Sequence, residues 1–178
     1  MKKIILLLLA YFPVLSQDYK VPPDVIRSLI DADPQPTISL TREGDLALVL
    51  FRDGYRSIDE LAKDELRIAG TRLDPVRYTS SRMTYYKSFS LIDIKSGDNI
   101  SLEFPVDGKF SFFQWSPDEE KVAYANTTDK GVELWVLDIK SKKSQKVSQR
   151  YINDILNSPF QWFNSSNEIL ASLRCNIE

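Results

Sequence analysis

An all-β fold, a partial β-propeller of about two and a half four-stranded blades with a short helical insert in the first, is predicted by three observations in this 178-residue sequence. "DIKS" occurs at Asp93–Ser96 and again at Asp138–Ser141, 45 residues apart, each time closing a run of alternating apolar residues. "FQW" occurs at Phe113–Trp115 and Phe160–Trp162, 47 residues apart, and each copy is followed by a polar turn and an apolar strand. Between these markers the apolar residues alternate with polar ones in short runs broken by turn residues, the period of half-buried strands. Four such strands within about 40 residues make one blade.

The chain opens with "MKK" and "IILLLLAYFPVL", the basic and apolar parts of a signal peptide over residues 1–16, with cleavage expected between Ser16 and Gln17. The apolar run is too short for the roughly 20 residues that cross a bilayer. Residues 17–37 are an extended and helical lead-in. Pro22 and Pro23 bar strand pairing, Asp24 to Ile30 puts Val25, Ile26, Leu29 and Ile30 on one side of a short helix, and Pro34 and Pro36 stiffen the connector after it. Residues 38–178 are the incomplete propeller. A first blade-like unit (38–104) begins with "TISL" and "LALVLF" and contains a helical insert over 57–70. Ser57 and Glu60 stand in the capping-box relation. Ile58, Leu61, Ala62, Leu66 and Ala69 share a helical face, and Gly70 is placed to end the helix. A second unit (110–148) holds "GKFSFFQW", "KVAYANT", "VELWVLDI" and "SQKVS"; a third begins at Phe160 and runs to about 173. Propellers typically close with ~4–8 blades. The repeat therefore predicts a piece of a larger ring whose remaining blades, and any catalytic domain, lie elsewhere.

Composition excludes several functions. The net charge of −2 becomes more negative by two once Lys2 and Lys3 leave with the signal peptide, so nothing attracts nucleic acid or an anionic membrane. The chain has no histidine, which removes Ser-His-Asp and Cys-His catalysis, and with one cysteine it has no zinc-binding cluster. No G-x-S-x-G and no glycine-rich phosphate loop is present. Catalytic, metal and cofactor residues are accordingly expected to be none. Asp59, Glu60, Asp64 and Glu65 read as a solvated helix face, and Asp118, Glu119 and Glu120 as turn residues. Trp115, Trp135 and Trp162 read as packing between blades. Asn99, Asn126 and Asn164 head N-x-[ST] sequons near expected turns, and Cys175 is a lone thiol near the end of the sequence.

Taken in order, "YKVPPDVIRSLIDADPQPTISLT", "SIDELAKDELRIAGTRLDP", "SRMTYYKSFSLIDI", "FQWSPDEEKVAYAN" and "ELWVLDI" resemble the N-terminal propeller of secreted prolyl oligopeptidase-family serine peptidases, nearest their glutamyl endopeptidase-like branch. The resemblance runs from Tyr19 to about Leu173. It implies a parent protein in which a seven-bladed propeller limits access, so that peptides rather than folded proteins reach a C-terminal α/β-hydrolase domain carrying Ser, Asp and His. That domain is absent from this sequence. The implied localisation is exported, periplasmic or secreted. The implied partners are peptide substrates of the parent, and the missing blades or the hydrolase domain where another chain supplies them. The alternative is an exported propeller-type binding module that completes its ring by oligomerisation or with a partner chain.

Overall fold

The computed structural model describes residues 20–105, 108–156 and 158–175; the expected cleavage site at Ser16 and Gln17 lies outside them. The chain divides into two compact units, residues 1–32 and 33–178. Of the first, the described part contains a helix of about two turns, α1 (Asp24–Ile30), opened by Pro23, carrying Asp24 in its first turn and burying no residue. No helix among the described residues is long and apolar enough to cross a membrane.

The second unit is built from short antiparallel strands. The first blade runs β1 (Thr37–Leu40), β2 (Leu46–Arg52), then, after the insert, β6 (Tyr86–Asp93) and a very short β7 (Asn99–Ile100). The insert contains α2 (Ile58–Leu61), β3 (Leu66–Ile68), β4 (Thr71–Asp74) and β5 (Thr79–Ser80). The second blade is an uninterrupted meander: β8 (Lys109–Trp115), β9 (Lys121–Thr127), β10 (Val132–Asp138) and β11 (Lys143–Lys146). The third unit consists of β12 (Phe160–Trp162) paired with β13 (Ile169–Ala171). A single pair, Tyr86 with Phe110, joins the first blade to the second edge to edge.

The repeat is real down to single hydrogen bonds. The turn between the first two strands of each blade is closed by Thr41 N–H to Leu46 O, Ser116 N–H to Lys121 O and Phe163 N–H to Glu168 O. In the same three turns Gly44, Glu119 and Ser166 take positive φ of 70°, 60° and 56°. The two "DIKS" copies also do one job. Asp93 ends β6 and its carboxylate accepts from the Lys95 and Ser96 amides; Asp138 ends β10 and accepts from the Ser141 amide. An aspartate there caps the turn that sends the chain to the fourth strand.

Blade stacking follows from strand alternation, since successive side chains point to opposite faces. In β9, Val122 and Tyr124 enter the core between the first two blades, and Ala123 and Ala125 enter the core between the second and third. All four have no exposed surface. The first core is aromatic: Phe89, Phe104, Phe110, Phe113 and Tyr124 contact one another at ring-centroid distances from 4.3 to 5.7 Å. Strict alternation in β8 would put Phe113 and Trp115 opposite Phe110. A bulge between Ser111 and Gln114, with Phe112 at φ 55°, resets the phase and returns them to its side.

Two expectations are corrected. The insert 57–70 is not one helix. After a single turn, α2, the chain forms a hairpin, β3 to β4, whose two-residue loop is Ala69–Gly70 at φ 49° and 86°. Gly70 serves a tight hairpin turn rather than a helix end. Leu66, expected on a helical face with Ala69, lies instead on a strand and remains half exposed, while Ala69 falls in the loop. The fourth strand of the first blade is also shorter than "ISLEF". After Ile100 the chain crosses to the second blade, where Glu103 bonds the Lys142 carbonyl and the Ser144 amide, covering the outer edge of β11.

Candidate functional site

The insert sits at the end of the blades where β2 leaves and β6 returns, and it gathers most of the charged chemistry in the molecule. Its reach is set by long-range bonds. Thr79 Oγ1 donates to Asp154 Oδ2 at 2.8 Å, Ser80 Oγ to the Ile155 carbonyl at 3.1 Å, and Arg174 Nη1 to the Val76 carbonyl at 3.1 Å. Arg174 also lies over the Tyr78 ring, 4.1 Å from its centroid. Beside the insert opens a cleft of about 840 Å³ lined by Arg52, Tyr55, Arg56, Tyr85, Lys87 and Lys109 among others.

Two acids expected on a solvated helix face are instead nearly enclosed. Glu60 keeps 12 % of its side chain exposed; its Oε2 accepts from Lys63 Nζ at 2.8 Å and from Lys109 Nζ at 2.5 Å. Burial opposes its ionisation, but the two ammonium groups outweigh that and pull its pKa down to about 2. Glu65 keeps 10 %, and Arg67, Arg72, Arg82 and the Ser81 hydroxyl converge on it. Burial again works against the charge, and the Ser81, Arg67 and Arg72 hydrogen bonds reverse it, to about 2. Asp59 and Asp64 are exposed as expected. The Ser57 hydroxyl does accept from the Glu60 amide, half of the predicted capping box. The Glu60 carboxylate is instead committed to lysines.

Arg77, 7 % exposed, is the centre of a second network. It lies 3.4 Å from Asp74, 3.8 Å from Glu60 and 2.9 Å from Asp129. Asp154 has the opposite character to the glutamates. It is buried, its Oδ1 lacks a partner, and burial pushes its pKa up to about 6, with Thr79 donation only partly offsetting this. Because this folded value lies above the ordinary 3.8, Asp154 costs the fold nothing below about pH 4. The penalty grows as pH rises through 6 and is complete at neutrality. Asp154→Asn is expected to stabilise the protein by about 1–3 kcal/mol at pH 7 and to be neutral near pH 3.5, read from thermal unfolding at both pH values.

The "PDEE" residues form the turn between β8 and β9, as their sequence suggests. Asp118 accepts from the Ser116 hydroxyl at 2.6 Å and from the Glu120 amide at 3.1 Å, and the Ser116 bond lowers its pKa. Glu119 accepts from the Arg42 amide at 2.7 Å. The tryptophans pack between blades: Trp115 and Trp135 against the first core, Trp162 against the second. Trp115 and Trp162 also act alike. Each donates its indole N–H to the preceding blade, to Ser39 Oγ at 3.0 Å and to the Gln114 carbonyl at 3.1 Å. Asn99 and Asn164 are exposed, whereas Asn126 is buried in β9, closed to a glycan. Cys175 is exposed.

Chemically, this arrangement binds the insert to the blades. Thr79 and Asp154 are both buried where they meet. No group of three or more metal-ligating side chains occurs among the described residues. Lys109 reaches Glu60 across 49 residues of sequence. That separation, and the spread of Arg67, Arg72 and Arg82 over the insert hairpin and its flank, are what the local sequence could not disclose.

No family model matches the chain. It is 28 % identical to a protein of Oryza sativa subsp. japonica named probable glutamyl endopeptidase, chloroplastic, over 87 % of this chain and 18 % of that protein. A protein of the same name from Arabidopsis thaliana is 27 % identical over 87 % and 17 %. Both are named for the branch that the sequence resembles. The chain spans less than a fifth of the length of these curated relatives. Among solved structures, an acylaminoacyl peptidase of Pyrococcus horikoshii aligns with a TM-score of 0.46 and 16 % identity, over 81 % of this chain and 18 % of that one.

Proposed function

We propose that this chain is the N-terminal propeller portion of an exported serine peptidase, and that it performs no hydrolysis itself. The observation that carries this reading is the match to two proteins named glutamyl endopeptidase along most of this chain but under a fifth of theirs. The absence of any histidine from the sequence supports the division of labour, because a serine nucleophile needs a general base that this chain does not provide. In the parent protein a hydrolase domain supplies the serine, aspartate and histidine. The blades narrow the approach to it and select peptides over folded proteins. The basic and apolar start of the sequence supports export.

The second reading, a binding module that completes its ring with another chain, is favoured by the terminal blade faces. Ile38 and Leu40 on β1 and Leu170 on β13 are all more than half exposed. They occupy alternate positions that, in the second blade, are covered by a neighbouring blade.

Purified protein incubated with glutamate-containing peptides and with a fluorophosphonate probe for reactive serines tests the main reading. Neither turnover nor labelling is expected. Turnover that follows this chain through purification and is abolished by the probe would overturn it.

A further inference from the structure

The insert fastens the first blade to the third across the second. Packed faces join the first blade to the second and the second to the third. The insert belongs to the first blade, yet the turn between β4 and β5 reaches the segment that enters the third. There the Asp154 amide donates to the Tyr78 carbonyl at 3.3 Å, and Thr79 Oγ1 donates to Asp154 Oδ2 at 2.8 Å. Ser80 Oγ adds a bond to the Ile155 carbonyl. The segment is in turn held to the third blade, because Ile152 bridges to Leu173 and the Asn153 amide donates to the Ser172 carbonyl.

At the centre of this fastening lies a carboxylate without a counter-ion. Asp154 is 2 % exposed and Thr79 1 %. Oδ2 has the Thr79 hydroxyl, whereas Oδ1 is buried and has no hydrogen-bond partner. Being enclosed already, Oδ1 is out of reach of any further segment of polypeptide. The charged and titratable groups nearby do not compensate it. Arg77, between β4 and β5, faces Asp74, Glu60 and Asp129, and no ion pair to Asp154 forms among the described residues. Asp74 on β4 adds like charge. Glu60 on α2 is paired with Lys63 and Lys109. Tyr85, before β6, stays neutral because burial raises its pKa. Arg174 is engaged by the Val76 carbonyl and the Tyr78 ring. A carboxylate with one donor, no cation and no water is far better placed neutral than charged.

We propose that Thr79 and Asp154 form a proton-linked clasp: with the Asp154 carboxyl protonated the insert is closed on the entry to the third blade, and ionisation of that carboxyl releases the β4–β5 turn. Release is local, since α2 stays anchored to the second blade through Glu60 and Lys109. Its direction follows from burial. The closed value near 6 exceeds the ordinary 3.8 that Asp154 regains when the clasp opens. Closure is therefore strongest below about pH 4, weakens as pH rises through 6, and is constant above neutrality. The clasp stands independently of the peptidase reading.

Amide hydrogen exchange of the full 178-residue chain, read by NMR and corrected for the intrinsic rate at each pH, tests this. Between pH 5 and pH 7.5 the protection of the Asp154 amide is expected to fall about tenfold, the ratio that values near 6 closed and 3.8 open produce. At both pH values it should also lie below that of the Tyr124 amide in the middle of β9, because the clasp opens without unfolding the blades. In Asp154→Asn, which has no proton to lose there, protection at position 154 should not change with pH. The carbon-13 signal of the Asp154 carboxyl, identified by its loss in that variant, should titrate with a midpoint well above the ordinary aspartate value. Constant protection in the parent chain, or a fall that persists in Asp154→Asn, would overturn the proposal. So would equal protection of the Asp154 and Tyr124 amides, or a carboxyl midpoint at the ordinary value.

Discussion

Phe110→Ala is expected to destabilise the protein by about 3–5 kcal/mol, a loss large enough to threaten folding at ordinary temperature. Phe110 is fully buried and its ring meets Phe89, Phe104 and Tyr124 at 5.3, 5.7 and 5.6 Å, all edge-on. These rings come from both blades and from the crossing segment that links them, so the cavity would open where the two blades are joined. The ring also fills the space above Gly108, where any Cβ would collide with it. The surroundings are crowded with other rigid rings and cannot easily collapse into the void. Denaturant unfolding of the two proteins reads the difference directly. A loss under about 1 kcal/mol would mean that the blades do not depend on this aromatic core.

Arg77→Ala is expected to cost a comparable amount, about 3–5 kcal/mol, for a different reason. Its guanidinium is buried among Asp74, Glu60 and Asp129; Glu60 keeps its two lysines when it is removed, but the nearly buried Asp74 carboxylate loses its ion-pair partner. Asp129 makes the shortest of the three contacts, but its side chain is fully solvated, so Asp129→Asn should cost less than about 1 kcal/mol. Denaturant unfolding at pH 7 reads the difference, and a loss under about 1 kcal/mol would mean that the buried charge network adds little to the fold.

Legibility from the sequence divides along a physical line. Turn chemistry is readable because it is local. Pro-Asp after Trp115 and the "DIKS" aspartates bond to amides two or three residues away, and these bonds repeat wherever the letters do. Alternation in β9 and β10 likewise discloses both faces of the second blade. The insert escapes a local reading because Leu66, Ile68 and Gly70 suit a helix end and a hairpin equally well. What decides between them is tertiary: Glu65 meets arginines from β3, β4 and the segment before β6, which only a hairpin brings together. The same long-range pairing encloses two glutamates whose neighbours in sequence suggest a solvated face. The β8 bulge leaves no local mark, since Phe110, Phe112 and Phe113 are all apolar and composition fits either phase.

Whether these blades belong to a peptidase whose catalytic groups lie outside this sequence is decided by reading the DNA beyond codon 178. Further strand–turn units are expected there at a spacing near that of the two tryptophans in "FQW", then a G-x-S-x-G and a later histidine, in this frame or a neighbouring one. A downstream region without blade-like sequence or a nucleophile motif in any frame would refute the peptidase reading.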